Sequence, residues 1–225
     1  MTLLLEDQAR DFALASMLAA YPDRELEATT EGLRGALADH PAAAPVLAWL
    51  DAEGGYDALR ARYVDLFDRG KGRTSLYETE YGRMRGMSKG NDLADIAGFY
   101  HAFGLDLDTD AAHEMLDHVA VELEFYAMLL AKQRFLTEQG NDEGREIVED
   151  ARRKFLAEHL GSFVHAIADR TDVRDDPAYG PIFTWCSTLV RGQCEALGVT
   201  PAPLDYFADV ELDRDMKCAS LPVLQ

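Results

Sequence analysis

The sequence predicts an all-α protein, a single-domain antiparallel bundle of helices. Three observations predict it. Apolar residues recur at spacings of three and four along most of the chain, no run alternates apolar and polar residues over a strand's length, and Gly- or Pro-bearing turns separate the periodic segments. Short turns between long helices make neighbouring helices antiparallel. A chain of 225 residues, 48% hydrophobic, is long and apolar enough for one compact domain with a sizeable core.

The first helix is expected over residues 6–20, where Phe12, Leu14, Ala15, Leu18 and Ala19 repeat at helical spacing and Pro22 stops the pattern. A second runs from Glu25 to Ala38 on Leu26, Leu33 and Leu37. The turn from His40-Pro41 to Pro45 leads into a short third helix begun by Val46, Leu47 and Leu50 and broken by Gly54-Gly55. Tyr56 to Phe67 is the fourth, with Leu59, Tyr63, Leu66 and Phe67 on one face. From about 68 to 91 the periodicity fails. That stretch holds Gly70, Gly72, Gly82, Gly86 and Gly90 and the run Tyr77-Glu78-Thr79-Glu80-Tyr81. A loop this long inside a helical chain is more often functional or disordered than a plain connection.

Asn91 or Asp92 caps the next helix, which passes through Ile96, Tyr100 and Phe103 and ends at Gly104. The segment Asp108–Gln139 follows, with Leu116, Val119, Leu123, Tyr126 and Leu130 stepping by three and four on one buried face. After the turn Gly140-Asn141, residues 142–170 form one long helix with Ile147, Phe155, Leu156, Leu160, Phe163, Val164 and Ile167 inward. A polar linker, Asp169 to Pro177, leads to the last helix, Tyr179 to Leu197. Pro201 and Pro203 open a tail, flexible from about residue 213.

The net charge of −19 argues against nucleic acid and anionic membrane surfaces, and it favours basic partners. Cys186, Cys194 and Cys218 fit neither a zinc pattern nor a closed disulfide framework, so they read as thiols in a reducing compartment. The N-terminus has no basic region followed by an apolar run, and no stretch approaches membrane-spanning length. A cytoplasmic location is expected.

Three constellations could carry chemistry. The first is Asp117-His118 with Glu122 and Glu124. On a helix His118 and Glu122 share a face, as a groove-lining hydrogen-bonded pair, a core-edge pair or half a metal site. No second Glu-x-x-His unit completes a helical di-metal centre. The second is the aromatic-acidic run, where Tyr77, Glu78, Glu80 and Tyr81 either face a basic ligand or pin the loop to the core. The third, Gly70-Lys71-Gly72-Arg73-Thr74-Ser75, lacks phosphate-loop spacing and a preceding strand. Arg69, Lys71, Arg73, Arg83, Arg85 and Lys89 concentrate positive charge around it, as solvated loop charge or toward an anionic group. Nothing supplies a nucleophile with an oriented base, so the chain reads as a binding protein rather than an enzyme, with no metal and no cofactor of its own.

Four blocks carry a family resemblance: Y-V-D-L-F-D-R-G from Tyr63, S-L-Y-E-T-E-Y-G from Ser75, D-L-A-D-I-A-G-F-Y-H-A-F-G-L from Asp92, and D-H-V-A-V-E-L-E-F-Y from Asp117. In order and spacing the chain resembles the TorD/DmsD/NarJ family of molybdoenzyme assembly chaperones. Its F-D-R-G and T-S-L elements are similar to nitrate reductase delta-subunit chaperones, and the other blocks to chaperones of the wider type II dimethyl sulfoxide reductase group. The resemblance implies an all-helical protein that binds the apo catalytic subunit of a molybdenum oxidoreductase, often through a twin-arginine signal peptide. It would hold that subunit until the molybdopterin cofactor is inserted, beside the cofactor delivery proteins, as a monomer or homodimer. Family motif residues fall at Tyr77, Glu78, Tyr81, Asp95, Gly98, Phe99, Asp117, His118, Glu122 and Phe125, among which Gly98 reads as a close-approach position and Phe99 and Phe125 as core packing. The client-binding candidates are Tyr77, Glu78, Glu80, Tyr81, Asp95, Asp117, His118, Glu122, Glu124 and Phe125. Glu78, Tyr81, Asp117, His118 and Glu122 are the first choices for lining a groove. A basic peptide fits the acidic chain independently, since Glu78, Glu80, Glu122 and Glu124 could receive guanidinium groups bidentately. The rivals are a metal-dependent enzyme using His118 and Glu122, and a permanent subunit of the finished complex.

Overall fold

The computed structural model describes residues 2–67, 74–82, 89–105, 115–202 and 204. Among them every regular element is a helix, as expected. The helices are α1 Thr2–Ala19, α2 Arg24–Leu37, α3 Ala43–Glu53, α4 Gly55–Phe67, α5 Lys89–Ala102, α6 Val119–Glu138, α7 Asp142–Phe155, α8 Gly161–Ala168, α9 Thr171–Arg174 and α10 Tyr179–Leu197.

Local chemistry explains several boundaries. The Asp23 side chain accepts the Leu26 N–H and starts α2, and the Asn141 side chain does the same for α7 from Gly144. Gly54 and Gly198 take positive φ of 103° and 65° and close α3 and α10, a conformation that costs glycine nothing. Buried apolar side chains from α1, α3, α4, α6, α8 and α10 form one continuous cluster, with Tyr126, Phe155, Phe163 and Phe183 almost fully enclosed. α1 lies along α6 and touches α10, while α6 also packs on α7 and α10 on α3, α8 and α9. Arg152 locks α6, α7 and α10 together. The residue is 3% exposed, and its guanidinium donates to the Gln133 and Gln193 side-chain oxygens and to the Tyr126 hydroxyl, over whose ring it also sits.

Several expectations are corrected. α5 starts at Lys89, ahead of both Asn91 and Asp92. α6 begins only at Val119, because His118 is extended (φ −78°, ψ 136°) and acts as its N-cap. The long helix over 142–170 is interrupted at Leu156–Leu160 by a π-helical turn, and a four-residue helix, α9, lies within the expected linker. Leu33 and Ile147 are exposed, at 44% and 60%, rather than inward. The loop basic residues Arg69, Lys71, Arg73, Arg83 and Arg85, the side chain of Lys89 and the tail from 213 lie outside the described residues.

Candidate functional site

The described part of the long loop is pinned, not pendant. The Glu78 N–H donates to the Asp117 carbonyl and the Val119 N–H to the Leu76 carbonyl, each at 2.9 Å, so residues 76–78 run antiparallel to 117–119. Tyr77 and His118 pair across this bridge with their rings 5.1 Å apart, edge to face. The Asp117 carboxylate accepts the Thr79 hydroxyl at 2.6 Å and the Thr79 N–H at 3.3 Å. The Tyr81 hydroxyl donates to the Ser75 carbonyl at 2.7 Å, and its ring packs on Phe163. At the other end the Thr74 hydroxyl donates to Asp172 on α9.

His118 is committed to structure. Its Nδ1 accepts the Ala120 N–H at 3.2 Å, which leaves Nε2 to meet the Tyr63 hydroxyl at 3.2 Å. The helical His118–Glu122 face read from the sequence is therefore not formed, because His118 precedes the helix.

Beside His118 lie three buried carboxyl groups, Glu78, Asp117 and Glu122. Neither Glu122 oxygen meets a donor. Burial above all, then the charges of Glu78 and Asp117, push the Glu122 carboxyl well above its usual range. Ionised, it would be unanswered; protonated, its hydroxyl can donate to neighbouring Glu78, so this pocket favours the proton.

His159 links that cluster to the surface. Its Nδ1 stands 3.1 and 3.3 Å from the two Glu78 oxygens, and its Nε2 stands 3.1 Å from Asp95 Oδ2. Burial alone would lower its pKa. The hydrogen bond and charge of Glu78, then those of Asp95, outweigh burial and raise it. Phe99 and Phe155 flank the ring. The π turn sets this position. The Gly161 N–H donates to the Leu156 carbonyl five residues back, and a Cβ added at Gly161 would fall 2.0 Å from that oxygen. Such turns often mark functional positions in helices.

Asp95, its side chain 57% exposed, also belongs to a groove of about 620 Å³ between α5, α6 and α7. Gly98, Phe99, Phe103, Leu136, Val148 and Ala151 give it an apolar lining, with exposed Ile147 at its edge. Asp95 and Asp150 line it with Lys132 and Lys154; Lys154 pairs with Asp150 at 2.9 Å, and Lys132 lies over the Phe103 ring.

The structure thus brings Glu78, Asp117, His118 and Glu122 together inside the protein, and joins Asp95 to them through His159. Tyr77 and Tyr81 hold the loop. Phe125 is core, packed on Tyr100, Phe103 and Phe155. Glu80 is half-buried in the short 3-10 turn Glu78–Glu80. Glu124 is exposed and lines a different groove, between α1 and α6. Sequence reasoning missed His159. The available signal was its spacing: it follows inward-facing Phe155 by four and Leu156 by three, which places an ionisable ring on the buried face.

The described residues thus form an all-helical protein with an apolar, charge-rimmed groove backed by a buried acid–histidine network. Residues 20–169 match the nitrate reductase delta subunit family, and the chain belongs to that family. It is 32% identical over 151 residues to the chlorate reductase assembly chaperone protein of Ideonella dechloratans, a span of 65% of this chain and 74% of that protein. It is 30% identical over 130 residues to the selenate reductase assembly chaperone protein of Thauera selenatis, covering 56% and 65% of the two chains. The resemblance carried by the four sequence blocks holds. Among the described residues no helix is long and apolar enough to cross a membrane.

Proposed function

We propose that this protein is an assembly chaperone for a molybdenum oxidoreductase of the type II dimethyl sulfoxide reductase group. It binds the cofactor-free catalytic subunit in the cytoplasm and holds it until cofactor delivery proteins have loaded it, before export or membrane docking. The whole chain acts as one domain in this role. The observation that carries the reading is the α5–α6–α7 groove, built around Gly98 and Phe99 in a chain whose family relatives are named as assembly chaperones.

The groove suits an apolar helical or extended segment, and the net charge of −19 steers a basic one toward it. A twin-arginine signal peptide has both properties. Asp95 is the carboxylate available to a guanidinium at the rim. Glu78, Asp117, His118 and Glu122 serve from behind, by fixing the loop and the His159 ring against which Asp95 is set. Tyr77, Tyr81 and Phe125 hold the same frame, and Glu80 and Glu124 add to the overall acidic charge that steers a basic partner. The family's name and its relatives' names point to assembly rather than catalysis. His118, held by the Ala120 N–H and the Tyr63 hydroxyl, supports the binding reading over an enzyme built on His118 and Glu122.

The test is recovery of partners on the tagged protein from its native host, grown on the relevant electron acceptor and read by mass spectrometry. A large molybdopterin-type subunit, free of cofactor, is expected, and Ile147→Asp at the groove edge should lower its recovery at least tenfold, about 1.4 kcal/mol. Recovery of that subunit only in its cofactor-loaded form, or equally with the variant, would overturn the proposal.

A further inference from the structure

The geometry points to a metal site: Asp95, Glu158 and His159 form a binding site for a divalent transition-metal cation of the zinc class. One donor atom from each of the three lies within 4.8 Å of the other two. The His159 Nε2 and Asp95 Oδ2 are 3.1 Å apart. A zinc ion bound to an imidazole nitrogen and a carboxylate oxygen at about 2.0–2.1 Å, with tetrahedral angles, holds those two atoms about 3.3 Å apart. The pair is thus already at ligand spacing.

The ring is also oriented as a ligand is. Glu78 holds Nδ1 from behind at 3.1 Å and so directs Nε2 toward Asp95, the carboxylate–histidine–metal arrangement that fixes tautomer and raises basicity. The π turn carries both Glu158 and His159, and Asp95 of α5 meets them. Three carboxylates, Glu78, Asp95 and Glu158, thus gather around the His159 imidazole. The nearby Lys154 is engaged by Asp150. On binding, the metal replaces the Nε2 proton, which passes to solvent, while Nδ1–H stays on Glu78. Three protein ligands leave a fourth position open beside the groove. This site shares Asp95 with the proposed client groove, but its test needs no client.

The experiment titrates zinc chloride, and separately cobalt(II) chloride, into the full chain after chelator treatment, by calorimetry and by the cobalt visible spectrum. One equivalent should bind with a dissociation constant below about 10 μM. The heat should vary with the buffer's ionisation enthalpy, because a proton is released. Glu158→Gln, an exposed change that leaves the core untouched, should weaken binding at least tenfold, and His159→Gln should abolish it. The exposed His101→Gln should leave it unchanged. No saturable binding by the unaltered chain, or an affinity in Glu158→Gln or His159→Gln equal to that of the unaltered chain, would overturn the proposal.

Discussion

At the scale of single residues, the buried acid–histidine network reverses the usual pH dependence of stability. The folded state raises the pKa of Glu122 from 4.5 and that of His159 from 6.5. Each therefore binds protons more tightly folded than unfolded, so its contribution is complete below the unfolded value and is lost as pH rises through the folded one. His40 and His165 are lowered by burial and act in the opposite sense, but only below pH 6.5. Melting temperature should consequently fall as pH is raised from 6.5 to 9. Glu122→Gln keeps the side chain's size and removes its titration. It should flatten that fall and stabilise the protein at pH 8 by about 1–3 kcal/mol, the scale of an unanswered buried polar group. Thermal melts across that range check this, and a lower melting temperature for Glu122→Gln at pH 8 would contradict it. The sequence placed Asp117, His118 and Glu122 in one constellation and Glu78 in another, the aromatic-acidic run, and only the family resemblance named all four as groove-lining choices. It did not reveal that they are buried, since charged residues are ordinarily read as exposed, and burial here depends on contacts between segments some 40 residues apart.

At the scale of elements, helix existence was legible and helix interruption was not. The span Tyr179–Leu197 follows directly from its periodicity and its flanking proline and glycine. The start of α6 was missed because Leu116 fits the apolar period of Val119, Leu123 and Tyr126 although the chain there is extended. What stops the helix is tertiary: the bridge to residues 76–78 takes the Val119 N–H. The π turn at Leu156–Leu160 had one mark in the sequence, Gly161 inside an apolar helical run, where glycine normally weakens a helix. Its reason is steric, since a Cβ there also falls 2.5 Å from Pro201 Cγ. Gly161→Ala should cost about 1–3 kcal/mol through overpacking and should displace His159 from Glu78 and Asp95. Chemical denaturation would show the first effect and the His159 ring titration, followed by NMR, the second. An unchanged His159 titration would separate the turn from the site.

At the scale of the whole molecule, the excess of acidic charge, the all-helical fold and the family were readable from the chain, and the groove was not. Ile147 was read as inward because the apolar pattern cannot tell a core face from a groove wall, and its exposure at 60% is what α5 and α6 leave uncovered. The proposed function rests on this combination: in that reading a negatively charged body offers an apolar groove to a basic, apolar segment of an unfinished enzyme. The measurement that tests this most directly is the molybdenum content of the catalytic subunit purified from host cells that contain this protein, lack it, or carry only its Ile147→Asp form. The account predicts a cofactor-loaded subunit in the first case and a largely molybdenum-free subunit in the other two. Equal molybdenum in all three would contradict it.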